Sequence, residues 1–189
     1  SMTKTVEFFY DIASPYSYLA AALVPRIEKL APVQWRPFLI GGVFKATNNM
    51  MPASNPAKGQ YMFQDLKRLF SFYQEPFTFP SRFPMNSLQA MRCITALPVE
   101  RRAEVSMQLF RAYWADDADL GDMAVLAELV GADVLARASD DAVKAELKAA
   151  TEEAAQRGAF GAPTFFLGDD MYFGEDRIFL LEHALHQQA

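Results

Sequence analysis

Both ends of this chain are written in β and its middle in α, and that order leaves few folds open. Val6-Glu7-Phe8-Phe9-Tyr10-Asp11 is short and aromatic-rich and reads as a strand. It runs into Ser14-Pro15, a serine cap followed by proline at the first helical position. Leu19, Leu23, Ile27 and Leu30 then recur at helical spacing, with Pro25 placed to kink that helix. A second strand follows at Val33 to Phe38, so the chain opens β-α-β. The short connections favour a parallel pair with a right-handed crossover. At the other end, Gly161-Ala162-Pro163-Thr164-Phe165-Phe166-Leu167 reads as a strand begun through proline. Gly168-Asp169-Asp170 is a turn, Met171-Tyr172-Phe173 a returning strand, and Ile178, Leu181 and Leu185 mark a closing helix.

Between these ends, Gly41 to Lys58 is rich in Gly, Asn, Pro, Lys and Met without periodicity and reads as one long loop. Met62, Leu66, Leu69, Phe70 and Tyr73 mark an amphipathic helix, and Phe77 to Pro84 is a proline-punctuated extended stretch. Further helical patterns run from Leu88 through Ala154. The expected organisation is an α/β domain from residues 1–40 and 155–189, interrupted by a helical insertion over residues 41–154.

The 189 residues suffice for one substantial domain, and 51% hydrophobic with 22% charged residues is the composition of a folded protein. Eighteen Lys and Arg against 23 Asp and Glu give a net charge of −5, which speaks against general nucleic-acid binding. No apolar run has the length of a membrane span, and the N-terminus shows no basic region followed by a hydrophobic stretch. A cytoplasmic protein is therefore expected, with no membrane partner. The single cysteine, Cys93, removes any intramolecular disulfide and any Cys-based zinc cluster. It falls within a helical pattern and reads as a small core hydrophobe. His183 and His186 stand three apart on the last helix with no ligand pattern around them, so no metal is expected.

The order β-α-β, helices, β-β-α resembles the thioredoxin-like fold in its DsbA-like form. In that fold a Cys-x-x-Cys sits where the first strand meets its helix; here the slot reads Ser14-Pro15-Tyr16-Ser17. The opposing landmark, a cis proline opening the third strand, is matched by Gly161-Ala162-Pro163-Thr164. Neither Ser14 nor Ser17 can form a disulfide, so dithiol chemistry is excluded. A serine hydroxyl beside free N–H groups at a helix N-terminus can instead hold a thiolate that arrives with a cofactor, and glutathione is the obvious candidate.

The whole chain resembles the 2-hydroxychromene-2-carboxylate isomerase family, close kin of the kappa-class glutathione transferases. The markers are Phe9-Tyr10-Asp11, then Ser14-Pro15-Tyr16-Ser17-Tyr18-Leu19-Ala20, then Gly41-Gly42-Val43-Phe44-Lys45-Ala46-Thr47 leading to Asn49. Asn86-Ser87, Phe160 to Gly168, and Phe173-Gly174-Glu175-Asp176-Arg177 continue the series. By that resemblance Ser14 holds the glutathione sulfur as thiolate, and the backbone of Ala162 before Pro163 pairs with the cysteinyl unit. Asp176, with Glu175 beside it, takes the γ-glutamyl ammonium, while Asn49 and Lys58 contact the tripeptide. Lys45 and Asn55 match positions that hold the organic substrate. The implied chemistry is addition of the thiolate to a conjugated carbon, rotation, and thiolate loss to give the trans product. A small aromatic carboxylate or another electrophile is the implied substrate, and a homodimer is implied by the resemblance alone.

The departures concern the substrate. Phe83 stands where the isomerases often have a tyrosine, Phe173 where tryptophan is common, Glu175 where Asn or Gln is common, and Met50-Met51 where a basic residue often follows Asn49. Two other functions stay open: a kappa-like transferase or peroxidase acting on other electrophiles, and a non-catalytic DsbA-like binding module. Plainer roles stay open too. Ser14-Pro15 also fits an ordinary helix start, Asp176 an N-cap of the last helix, and Lys45 and Lys58 solvated loop lysines.

Overall fold

The computed structural model describes residues 4–50 and 55–188. Its elements are β1 (Val6–Tyr10), α1 (Pro15–Glu28), β2 (Val33–Pro37), α2 (Ile40–Thr47), α3 (Pro56–Phe72), α4 (Leu88–Ala96) and α5 (Arg102–Trp114). These continue into α6 (Met123–Val130), α7 (Ala132–Arg137), α8 (Asp141–Gln156), β3 (Thr164–Leu167), β4 (Asp170–Phe173), a 3₁₀ turn at Glu175–Arg177, and α9 (Ile178–Gln188). The sheet order is β2-β1-β3-β4, with β1 and β2 parallel and the other pairs antiparallel. The two chain ends thus build one sheet, in the DsbA-like thioredoxin arrangement expected. No helix among the described residues is long and apolar enough to cross a membrane.

The aromatic run of β1 is explained by burial on both of its faces. Phe8 and Tyr10 point to one side, where Phe8 stacks on Phe165 at 4.9 Å and meets Trp35 edge-on at 5.0 Å. Phe9 points to the other, into a smaller cluster with Phe38, Val43, Ala154 and Phe166. Helix α1 starts as its sequence dictates. Ser14 has extended backbone (φ −99°, ψ 117°), its Oγ accepts the Ser17 N–H at 3.0 Å, and Pro15 follows.

The long loop expected over residues 41–58 is not what forms: residues 40–47 are helical, and α3 begins at Pro56. Three features make α2 possible, two of them distant in the sequence. The Asp11 carboxylate accepts the Ile40 N–H at 2.8 Å, which supplies the cap that Leu39 cannot. Gly42 lies so close to α8 that a Cβ there would stand 2.8 Å from Thr151 Cγ2. Asn48, left-handed at φ 56°, ends the helix and is followed by an Asn49 N–H to Phe44 O bond of 2.9 Å. Met51, one of the two loop methionines noted above, lies outside the described residues.

On the second face of the sheet, Glu7, Arg36, Glu153 and Arg157 close a four-membered ion cluster with contacts of 2.7–2.8 Å. The Arg157 guanidinium also lies 4.0 Å from the Phe166 ring centre. Burial by itself would raise the Glu7 carboxyl, but hydrogen bonds from Arg157 and Arg36 hold it below its ordinary value. The Glu153 carboxyl is lowered chiefly by its bond from Arg36. A lowered folded-state pKa stabilises the fold above the unfolded value and loses that stability as pH falls through the folded one. The urea midpoint is therefore expected to drop as pH is lowered from about 5 to about 3. The double variant Glu7→Gln/Glu153→Gln should show a clearly shallower drop, and an equal drop would contradict the assignment.

Candidate functional site

A cavity of about 790 Å³ opens where the N-terminal ends of α1 and α2 meet α3, the Phe83–Leu88 segment and the turns flanking β3 and β4. Its floor is Ser14 against Ala162-Pro163, whose peptide bond is cis. The Ser14 hydroxyl is buried and donates to the Ala162 carbonyl at 3.3 Å, while its oxygen accepts the Ser17 N–H. The bond to Ala162 is long and weak, so the hydroxyl proton is available to a stronger acceptor entering the cavity. Pro163 O accepts the Gly174 N–H at 2.9 Å, and the Thr164 hydroxyl donates to Gly161 O at 2.8 Å, which fixes the backbone before β3. A Cβ at Gly161 would stand 3.0 Å from Phe173 Cε1, so that ring would have to give way.

Two ends differ in chemistry. Toward α2 and α4 the wall is apolar, formed by Leu39, Ile40, Phe44, Phe83 and Met85. Phe83 packs on Phe79 (4.9 Å between ring centres) and precedes a second cis bond, Phe83-Pro84. Beneath this wall sits Asp11, 1% exposed. Its carboxylate accepts the N–H groups of Ala13 (2.9 Å) and Ile40 (2.8 Å) and a bond from the Ser87 hydroxyl. One side chain therefore ties together the starts of α1, α2 and α4. Burial pushes the Asp11 carboxyl up, and these donors oppose the rise.

Toward α3 the wall is polar. Tyr16 donates its hydroxyl to Asp65 Oδ2 at 2.8 Å, and burial together with that carboxylate raises the phenol. Glu175, Asp176 and Lys58 line the same end. The Asn49 amide donates to Phe160 O at 3.2 Å across the cavity mouth.

Of the residues marked by sequence, Ser14, Asn49, Lys58, Phe83, Ala162, Pro163, Glu175 and Asp176 line this single cavity. Two do not. Lys45 is exposed on α2 and outside the lining, because the helix that replaces the expected loop turns Phe44 inward and its neighbour out. Asn55 caps α3, accepting the N–H groups of Ala57 (3.1 Å) and Lys58 (3.3 Å). Asp176 lies within the 3₁₀ turn, which separates it from the N-cap position of α9. Sequence reasoning assigned no role to Asp11 or Asp65. Asp65 carried a signal, since its spacing from Met62, Leu66 and Leu69 sets a carboxylate on the inward face of an amphipathic helix. Cys93 is fully buried and its thiol is pushed up to about 11, which leaves it inert.

The family model of the DSBA-like thioredoxin domain matches residues 5–186. Human glutathione S-transferase kappa 1 is 35% identical, over 99% of this chain and 93% of its own length. The 2-hydroxychromene-2-carboxylate isomerase of Sphingobium xenophagum is 31% identical, over 97% of this chain and 99% of its own. A solved structure of a 2-hydroxychromene-2-carboxylate isomerase superposes with a TM-score of 0.87 at 27% identity, covering 97% of this chain and 95% of the other. The chain belongs to the DsbA-like thioredoxin-domain family, with kappa glutathione transferases and 2-hydroxychromene-2-carboxylate isomerases among its relatives.

Proposed function

We propose that the protein is a glutathione-dependent isomerase of the 2-hydroxychromene-2-carboxylate type. One observation carries the reading: a serine hydroxyl at the N-terminus of α1 faces the carbonyl before a cis proline, on the floor of a large cavity. The residues present fit glutathione. Ser14 offers a hydroxyl donor, Ala162 an extended backbone edge, Lys58 a cation for a carboxylate, and Asp176 with Glu175 an acceptor for an ammonium. Bound there, glutathione supplies a thiolate nucleophile that adds reversibly to a conjugated carbon and so permits cis-trans isomerisation.

The chain's own part is positioning and electrostatics. The Ser14 hydroxyl swings from Ala162 O to the sulfur, and the positive end of α1 favours negative charge there. Asn49 orients the tripeptide at the mouth. The Leu39, Ile40, Phe44 and Phe83 wall excludes water and seats an aromatic ring. A second reading, a kappa-like transferase, is favoured by Phe83, which lacks a hydroxyl, and by the position of Lys45 outside the cavity.

A substrate panel separates the two. The isomerase reading expects the cis substrate to convert with no net consumption of glutathione. Consumption of glutathione with an aryl halide or a hydroperoxide, and no isomerisation, would overturn it in favour of the transferase. Absence of any glutathione affinity would leave only a binding module.

A further inference from the structure

Glu175 lines the cavity at only 8% exposure, and no hydrogen bond reaches its carboxylate among the described residues. A carboxylate so placed either keeps a proton or awaits a donor from a ligand. Its surroundings are acidic. From its own turn come Asp176 and Arg177, and Arg177 Nη1 already lies 3.3 Å from Asp176 Oδ2. From α3 come Asp65 and Lys58, and from α1 comes Tyr16, whose hydroxyl is bonded to Asp65. Helix α9 and strand β4 also pack against this turn, but none of their charged side chains lines the cavity among the described residues. Burial first, then Asp176 and Asp65, push the Glu175 carboxyl up to about 7, with Arg177 opposing.

We propose that Asp65, Glu175 and Asp176 together receive the primary ammonium of the thiol ligand, and that Glu175 gives up its proton as the ammonium docks. The proposal rests on the glutathione reading and adds to it Asp65 and a coupled proton. The Glu175 O–H bond breaks, its proton passes to solvent, and the ammonium keeps all of its own. The site therefore selects thiols with a free α-amino group, and the selection sharpens as pH rises.

S-methylglutathione isolates this proton, because it has no thiol to ionise. Calorimetric titration at neutral pH in two buffers of different ionisation enthalpy counts the protons released. About half a proton per site is expected from the wild type, and none from Glu175→Gln. The wild-type affinity should rise about tenfold between pH 6 and pH 8, and that of Glu175→Gln should stay flat. Asp65→Asn relieves one like charge on Glu175 and should shrink the release. Binding without proton release, or with uptake, overturns this inference and leaves the glutathione reading standing. If neither glutathione nor S-methylglutathione binds, both fall.

Discussion

Ser14→Gly is expected to lower glutathione-dependent turnover by about a hundredfold or more while the protein stays folded. The hydroxyl lies on the cavity floor at the head of α1, beside the Ala162 carbonyl, where it would donate to a thiolate held in the cavity. Removing one preorganised donor to a developing or resting anion typically lowers the rate by about 10²–10³-fold. Glycine is the cleaner substitution because it keeps N-cap competence within a few tenths of a kcal/mol, whereas alanine loses about 1 kcal/mol of helix stability. Unchanged turnover with an unchanged unfolding midpoint would remove Ser14 from the mechanism. A loss of turnover that tracks a loss of folding would reduce it to a cap.

The largest effect on stability is expected at Asp11. Asp11→Ala leaves the Ala13 and Ile40 N–H groups and the Ser87 hydroxyl without their acceptor, at a buried position on the cavity's edge. Unsatisfied buried donors are penalised by about 1–3 kcal/mol each, so a loss of about 3–5 kcal/mol is expected from urea unfolding. Asp11→Asn should lose less, since its carbonyl still accepts one N–H. The carboxyl's raised folded-state pKa bears on the pH dependence. A raised value contributes stability below the unfolded pKa that is lost as pH rises through the folded one, and Asp11→Asn should lack this component. A change below about 1 kcal/mol for Asp11→Ala would show that the three helix starts are held without it.

Asp11 also shows where the sequence was legible. Strand β1, the capped start of α1 and the proline before β3 are short-range features, each set by a few adjacent residues, and each was readable. Helix α2 was not, because its causes lie elsewhere in the chain. Its cap comes from Asp11, and its glycine is required by Thr151, more than a hundred positions away. Two glycines weaken its helical propensity, and the apolar spacing of Ile40, Val43 and Phe44 covers little more than one turn. The difference carries into the site: a loop would have left Lys45 free to reach the cavity, and the helix turns it to solvent. Asn55 lies outside the cavity lining for a related reason, since its side-chain oxygen is committed to the first turn of α3. Asp65 was visible as an inward carboxylate, but its neighbours Tyr16 and Glu175 come from opposite ends of the chain. Only the closed sheet brings them together.

The central claim is that Ser14 holds a glutathione thiolate in this cavity, and the ultraviolet thiolate absorbance of bound glutathione tests it most directly. Titrated against pH in wild type and Ser14→Gly, the bound thiol is expected to ionise well below free glutathione in the first and to move back toward it in the second. Binding whose thiolate signal does not depend on Ser14, or no binding at millimolar glutathione, would contradict the account.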